Sequence, residues 1–513
     1  MAVARKTAAP NLRVRTPQDR KAYVPVHVVW EVTLACNLKC GHCGSRAGKR
    51  RANELSTAEC LDVVRQLAAA GTREITLIGG EAYLRKDWLE IAAEIARHGI
   101  HCGLQTGARG LTRERIAAAY AAGVRAIGIS VDGLRDIHDE IRGVAGSFDQ
   151  AISAIENVRD VGIEPGVNTQ INARSKHQLP DIFERIVAAG AKYWQVQLTV
   201  AMGNAVDNSA MLLQPHEIIE VVDCLAGLYH RGRDVGFRLL PGNSIGYFGP
   251  HEPHWRSLTS EIEHWGGCTA GETTLGLEAD GTIKSCPSLP KSHYAAGETR
   301  SMTIDEAMQG LADRTTRRDG NRGRSFCGSC YYWNVCRGGC TWVSHVLEGR
   351  RGDNPYCYYR ATTLAKRGLH ETLVKVAEAP DSPFAVGRFE VQLRRADGSR
   401  APRAQGLDDK RRKRGRLMLC QSCNEYIFPA EQNCPHCAAP NGPQHNAPPV
   451  AGDAFSRDVR IAIDEIERHG RRILELTGMV EAQRPVGKMP AAERRLSAAT
   501  TTRRQYGPRL SAS

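Results

Sequence analysis

Three cysteines spaced CxxxCxxC (Cys36, Cys40 and Cys43) follow directly on the strand-like run Val26-His27-Val28-Val29-Trp30-Glu31. Thiolates at this spacing can hold three irons of a four-iron cluster and leave the fourth iron without a protein ligand. An under-liganded cluster at the C-terminal end of a strand is a place for a reactive cofactor, because the protein supplies ligands and orientation while the cofactor carries the radical chemistry. Taken without context, the same thiols also suit a zinc site or a set of buried free cysteines.

The length of 513 residues allows roughly two to four domains with ample buried core. Seventeen cysteines in a chain this long, with no signal peptide, do not make a secreted disulfide framework. Met1 to Arg20 carries scattered Arg and Lys without an apolar core, and no later stretch is apolar enough to span a bilayer. A cytoplasmic protein with no membrane partner is expected. The net charge of +13 is uneven: from Phe384 onward 23 Lys and Arg stand against 14 Asp and Glu, so the basic character belongs to the tail.

From Val26 to Val200 strand and helix signals alternate. Ser56-Thr57-Ala58-Glu59 reads as a capping box that opens a helix through Ala70, ended by Gly71. Strands are expected at Glu74–Ile78, Cys102–Thr106, Ala126–Val131, Gly166–Ile171 and Tyr193–Val200, with helical runs such as Arg113–Ala122 and Gln150–Val161 between them. This alternation implies right-handed crossovers and a parallel sheet. Six strands are too few to close, so the fold class is α/β, a partial TIM-like (β/α)6 barrel over residues 26–235 with its chemistry at the strand C-termini. Residues 1–25 are an N-terminal extension.

Gly79-Gly80-Glu81 follows the second strand. Two glycines let the backbone approach a ligand, and a carboxylate there can pair with an ammonium group. Together with CxxxCxxC, this segment resembles the GGE motif of the radical S-adenosylmethionine (SAM) superfamily. The resemblance implies that the open iron chelates the amino and carboxylate groups of SAM, that Gly79, Gly80 and Glu81 hold its amino group, and that His42, in a place usually aromatic, lies near the adenine. Ser130, in Ser130-Val131-Asp132-Gly133, is implied as a contact to the ribose or carboxylate. Arg142, in His138-Asp139-Glu140-Ile141-Arg142-Gly143, is either a SAM contact or a surface helix residue. The chain departs from the family at Ala82, usually Pro, and at Gly107 of Gln105-Thr106-Gly107, usually Asn, to which no contact is assigned.

After helical periodicity around Pro215 to His230 comes a second cysteine-rich region, with Cys268, Cys286, the run Cys327-x2-Cys330-x5-Cys336-x3-Cys340, and Cys357. Seven cysteines exceed the needs of one tetrahedral zinc. Over residues 236–378 the pattern resembles the loop-rich SPASM domain of the same superfamily. By that resemblance Cys327, Cys330, Cys336 and Cys357 hold one auxiliary cluster and Cys268, Cys286 and Cys340 another, giving three [4Fe-4S] clusters in all. The fourth ligand of the three-cysteine set is Glu263, His264, a distant group or nothing from the protein. A purely bracing role for both clusters stands beside a functional one.

Pro380-Asp381-Ser382-Pro383 opens a basic linker over 379–416 that includes Lys410-Arg411-Arg412-Lys413-Arg414. Cys420, Cys423, Cys434 and Cys437 then form paired CxxC knuckles that suit tetrahedral zinc, read as a zinc ribbon over 417–440, with a rubredoxin-like iron site as the alternative. Residues 441–483 are a linker and an amphipathic helix over Ser456 to Leu476, and 484–513 a basic disordered tail. A ribbon beside a basic tail serves nucleic-acid binding, or docks on another protein or on this enzyme. Sparse aromatic interleaving favours docking.

SPASM-bearing relatives mostly modify ribosomally made peptides or proteins, so the resemblance implies an oxidative peptide maturase with a peptide or protein substrate and an external electron donor of flavodoxin or ferredoxin type. No leader-binding domain is evident, which points to a separate leader-peptide-binding protein. Haem-precursor processing is the rival within the enzyme class, and a nucleic-acid-binding protein with a vestigial barrel the rival outside it. Pro287, after Cys286, stands where sulfatase-maturing relatives carry a catalytic Asp, which argues against that branch.

Overall fold

The computed structural model describes residues 15–242, 244–256, 264–315, 326–402 and 417–441. The Lys410–Arg414 run, Glu263, the expected helix over Ser456 to Leu476 and the basic tail lie outside the described residues.

Strands β1 (His27–Glu31), β2 (Glu74–Ile78), β3 (His101–Thr106), β4 (Val124–Ser130), β5 (Glu164–Ile171) and β6 (Tyr193–Leu198) lie side by side in chain order, all parallel. The helices between them are α1 (Thr57–Ala69), α2 (Trp88–Arg97), α3 (Arg113–Ala121), α4 (Arg135–Arg142), α5 (Ser147–Val161) and α6 (Leu179–Ala188). The expected capping box is present: Glu59 N donates to Ser56 Oγ at 3.3 Å and Ser56 N to Glu59 Oε2 at 2.7 Å. Gly71 follows the helix at φ +83°, a left-handed position that costs glycine little.

The sheet does not stop at six strands. After α7 (Ile218–Asp234), β7 (Arg238–Pro241) pairs parallel to β6. At the other edge β8 (Thr274–Leu277) pairs parallel to β1, and β9 (Thr282–Lys284) and β10 (Ala295–Glu298) continue the sheet antiparallel, making ten strands. Four strands from the cysteine-rich half of the chain therefore extend both edges of the barrel sheet. No ladder joins β7 to β8 among the described residues, and the parallel run remains open.

Alternation along the strands separates two faces. Trp194 of β6 packs on Phe183 of α6 with ring centroids 6.4 Å apart, so Trp194, Val196 and Leu198 face the helix layer, where all three are buried. Gln195 and Gln197 then face the lumen, as do Asn168 and Gln170 on β5, paired with them in register.

The expected linker over 379–416 is corrected in part. Residues Arg388–Arg395 form β12, which pairs antiparallel with β11 (Leu369–Ala377). Phe389, Val391 and Leu393 are buried on one face while Arg388, Glu390, Gln392 and Arg394 occupy the other. That period-two pattern carries a strand beneath the high charge count. Helices α8 (Thr341–Glu348) and α9 (Tyr358–Ala365) precede β11, and after β12 comes a hairpin of β13 (Met418–Leu419) and β14 (Tyr426–Ile427).

Candidate active site

The loop after β1 is gathered by one buried carboxylate. Glu54 Oε1 accepts from Thr33 Oγ1 and Leu34 N, both at 3.0 Å, and from Arg51 N at 3.1 Å. Cys36 N donates to Gly48 O at 3.0 Å, and the amides of Leu38 and Ala47 donate to Cys36 Sγ and Cys43 Sγ, each at 3.4 Å. Arg142 Nη1 donates to Cys40 Sγ at 3.6 Å. Such bonds favour sulfur in its anionic, metal-binding form. Burial alone works the other way, pushing the Cys36 thiol up to about 12 and the Cys40 thiol up to about 11, so that a bound metal would be what ionises them. A cavity of 380 Å³ opens beside Cys36, Lys39, Gly48 and Asn204. Asn204 also holds the loop from outside, with its Nδ2 donating to Cys40 O at 2.9 Å and its N to Cys43 O at 3.0 Å.

Gly79 and Gly80 lie against this loop. Gly80 N donates to Thr33 O and Glu81 N to Ala35 O, both at 2.8 Å. A Cβ on Gly80 would overlap Ala35 O and sit 2.7 Å from Cys36 Cβ, and one on Gly79 would overlap Thr33 O. The close approach that these glycines permit is thus to the cysteine loop. Glu81 is buried, accepting from Thr106 Oγ1 at 2.5 Å and Gly107 N at 2.7 Å. Gly107 therefore has a contact that the sequence did not assign it. Burial raises the Glu81 carboxyl to about 6 despite those donors.

Asp132, fully buried, draws the remaining residues together. Its Oδ2 lies 2.7 Å from His42 Nε2 and 2.5 Å from Arg142 Nη2, and Oδ1 accepts from Gln170 N at 2.8 Å. Burial opposes ionisation, yet Arg142 and His42 hold this carboxyl well below the usual carboxylate range. Arg142 is buried on this network, so the surface-helix alternative falls away. His42 is buried too, and its Nδ1 has no partner among the described residues. Ser130 ends β4 opposite Asn168, two residues before Asp132. The roles of Asp132 and Glu54 had no local signal, because their partners are far away in sequence.

Residues 30–173 match the profile of the Radical SAM superfamily. These residues form a radical SAM domain. The chain is 27% identical over 358 residues to an AdoMet-dependent heme synthase of Oleidesulfovibrio alaskensis, covering 65% of this chain and 87% of that one. It is 28% identical over 354 residues to the mycofactocin maturase MftC of Mycobacterium tuberculosis, covering 68% and 86%. Among solved structures, anSMEcpe with bound AdoMet and Cp18Cys peptide superposes with a TM-score of 0.51 at 17% identity, covering 66% of this chain and 95% of that one. Streptococcus suis SuiB bound to S-adenosylmethionine gives 0.50 at 17%, covering 66% and 78%. At these identities the structural likenesses show the fold.

A radical SAM enzyme uses SAM and a [4Fe-4S] cluster, and the loop of Cys36, Cys40 and Cys43, with its sulfur-directed amides and Arg142, fits that group. No helix among the described residues is long and apolar enough to cross a membrane.

The radical SAM core continues into two further groups of thiols. Cys327, Cys330, Cys336 and Cys357 line one cavity with Tyr247, Phe248, Tyr332, Asn354 and Tyr359. Asn354 Nδ2 is buried there with no acceptor among the described residues, and Arg360 Nη1 donates to Cys327 Sγ at 3.8 Å while the same guanidinium pairs with Glu371. Four thiols, an orphan donor and a buried cation suit an anionic iron-sulfur cluster. Tyr247 and Phe248, which border the cavity, sit at φ +74° and +65°, a strained conformation for bulky residues.

Cys268 and Cys286 pack around Ala270, Leu289 and Tyr294 together with Trp342, and Cys340 caps the N-terminus of α8 beside them. Tyr294 Oη lies 3.1 Å from His345 Nδ1. His264, the candidate fourth ligand by sequence proximity, instead packs its ring on Phe248 and Tyr426, with centroids 6.3 and 5.3 Å away.

At the C-terminal hairpin, Cys420, Cys423, Cys434 and Cys437 bring their sulfurs within 4.8 Å of one another. The Cys420–Cys437 and Cys423–Cys434 sulfur separations are 3.8 and 3.7 Å. Sulfurs on a tetrahedral zinc lie about 3.8 Å apart, given the usual zinc–sulfur bond. Asn424 and Ala438, each just past a knuckle, take φ of +57° and +61°.

Proposed function

We propose that this enzyme cleaves SAM reductively and oxidatively modifies a ribosomally made peptide or protein held in the barrel lumen. The convergence of three loop thiols with Glu81, Asp132, His42 and Arg142 at the strand C-termini carries this reading. When bound, SAM and its cluster supply the 5'-deoxyadenosyl radical. The chain's own part is to hold the cluster through Cys36, Cys40 and Cys43, to keep Glu81, Gly79, Gly80 and Ser130 against the SAM polar groups, and to place His42, fixed by Asp132, toward the adenine.

Two auxiliary [4Fe-4S] clusters belong to this reading, one on Cys327, Cys330, Cys336 and Cys357 and one on Cys268, Cys286 and Cys340. Zinc on Cys420, Cys423, Cys434 and Cys437 completes the metal set. Electrons come from an external flavodoxin- or ferredoxin-type donor, the leader of the substrate is bound by a separate protein, and the reaction takes place in the cytoplasm.

The lumen supports a peptide. Asn168, Gln170, Gln195 and Gln197 present neutral amides on two adjacent strands, which suit the donors and acceptors of peptide groups. Porphyrin carboxylates call for cations at such positions. Heme synthases are nevertheless among the relatives, so the test includes both substrates. Reduced, reconstituted protein should form 5'-deoxyadenosine anaerobically, and a co-expressed candidate peptide should change mass in an enzyme-dependent way. A Cys36/Cys40/Cys43 triple alanine variant that still forms 5'-deoxyadenosine would sink the cluster assignment. Turnover of an iron-porphyrin with no peptide turnover would sink the peptide reading.

A further inference from the structure

The sequence leaves the C-terminal cysteine hairpin to dock on another protein or on this enzyme. The structure seats it on the four-cysteine chamber. Contact runs through Tyr331 and Tyr332, which stand between Cys330 and Cys336 inside the ligand loop itself. Phe428 N donates to Tyr331 Oη at 2.9 Å, and Tyr331 Oη donates to Glu431 Oε1 at 3.1 Å. Tyr332 Oη donates to Tyr426 O at 2.7 Å and lies 3.0 Å from His436 Nε2. His436 Nε2 also lies 3.3 Å from the same Tyr426 carbonyl.

Tyr332 is fully buried and faces both ways. One face of its ring stacks on Phe248, with centroids 3.8 Å apart and planes within 5°. The ring also lines the chamber that holds Cys327, Cys330, Cys336 and Cys357. Tyr359, another lining residue, meets both Tyr332 and His436 edge-on, at 4.8 and 5.7 Å. His436 lies within the second knuckle, between Cys434 and Cys437, and its N donates to Cys434 Sγ at 3.4 Å. One histidine thus touches a sulfur of the hairpin through its backbone and the wall of the chamber through its ring.

We propose that the cysteine hairpin braces from behind the Tyr332 and Tyr359 wall of the four-cysteine chamber, with Tyr332 and His436 as the positioning pair through which the hairpin's zinc site sets the exposure and the reduction potential of the cluster held there. The inference rests on the proposed metal set. Aromatic rings around a cluster control solvent access and local polarity, and both shift its potential. A hairpin this small has few contacts of its own to hold it, so its metal keeps it folded. Loss of zinc therefore loosens the wall, and the hairpin makes the chamber sensitive to any reagent that strips or oxidises its thiolates.

The test uses full-length reconstituted holoenzyme, with iron and zinc measured in each preparation. The chamber cluster is the paramagnetic signal that Cys336→Ala removes. Cys437→Ala, which alters a hairpin sulfur and no chamber ligand, should lose zinc, shorten the lifetime of that signal in air by about ten-fold and shift its midpoint potential, with the Cys36 loop cluster unchanged. His436→Gln should keep zinc yet shift the same potential, and Tyr332→Phe, which keeps the stacked ring, should retain more of the air lifetime than Tyr332→Leu. His436→Gln and the Tyr332 pair keep the question open to measurement if Cys437→Ala fails to fold. Wild-type protein that holds no zinc overturns the metal assignment. Protein that holds zinc, but whose chamber cluster keeps its lifetime and potential in Cys437→Ala and His436→Gln, overturns the coupling alone.

Discussion

His42 Nε2 lies 2.7 Å from Asp132 Oδ2, and the same oxygen takes Arg142 Nη2 at 2.5 Å, so one buried carboxylate fixes both the residue before Cys43 and the cation that touches Cys40. Asp132→Asn leaves Arg142 buried without its counter-charge. Breaking a buried pair on one side costs ~3–5 kcal/mol. The variant should unfold at correspondingly lower denaturant and form 5'-deoxyadenosine more slowly, read by denaturation and by product chromatography. Unchanged rates would mean that the network braces the fold and does not orient the site.

Gly80→Ala should disturb the cysteine loop. Its Cβ has no room beside Ala35 and Cys36, and the backbone that it meets cannot rotate away as a side chain would. The expected result is iron content lower by the equivalent of one four-iron cluster, with the other clusters retained. Full iron content would show that the loop can shift to admit a methyl group.

Glu31 gives the chain a pH dependence away from the thiols. Burial raises its carboxyl from the ordinary 4.5 to about 7, with Glu278 adding to the shift, although Arg51 Nη2 lies 3.1 Å away and opposes it. Between those values the folded protein holds a proton that the unfolded chain has lost. Stability must therefore fall as pH rises from about 4.5 to about 7, by on the order of 1–3 kcal/mol. Denaturation curves of Glu31→Gln across this range should lack that slope.

The three-cysteine set supplies a comparison of neighbours. His264→Ala should leave the spectrum of its cluster alone, because that ring packs on Phe248 and Tyr426. Tyr294→Phe should change it, because Tyr294 packs with Cys268 and Cys286. The reverse pattern in electron paramagnetic resonance would restore His264 as the ligand.

What the sequence disclosed was local. The Ser56–Glu59 cap, the alternating strands and the cysteine spacings depend on residues within a turn or two of one another, and all were legible. What it hid was pairing at a distance. Nothing near Thr274–Leu277 says that this strand lies beside β1, and nothing near Asp132 says that residue 42 reaches it. The strand at Arg388–Arg395 was hidden differently, by charges on its open face that outweighed the buried Phe389, Val391 and Leu393. The tyrosines between Cys330 and Cys336 likewise have partners, in the hairpin that they hold, about a hundred residues away.

The pairing of β1 with β8 bears on how the chain is made. His27 meets Thr274, a partner synthesised roughly 250 residues later. At ~5–20 residues per second, β1 waits on the order of tens of seconds with one edge open. An open strand edge is a template for wrong partners, and this one leads straight into three reactive thiols. Translation speed therefore sets how long that edge of β1 stays unpaired, although the residues that hold the Cys36 loop, through Asn204, are made before Thr274.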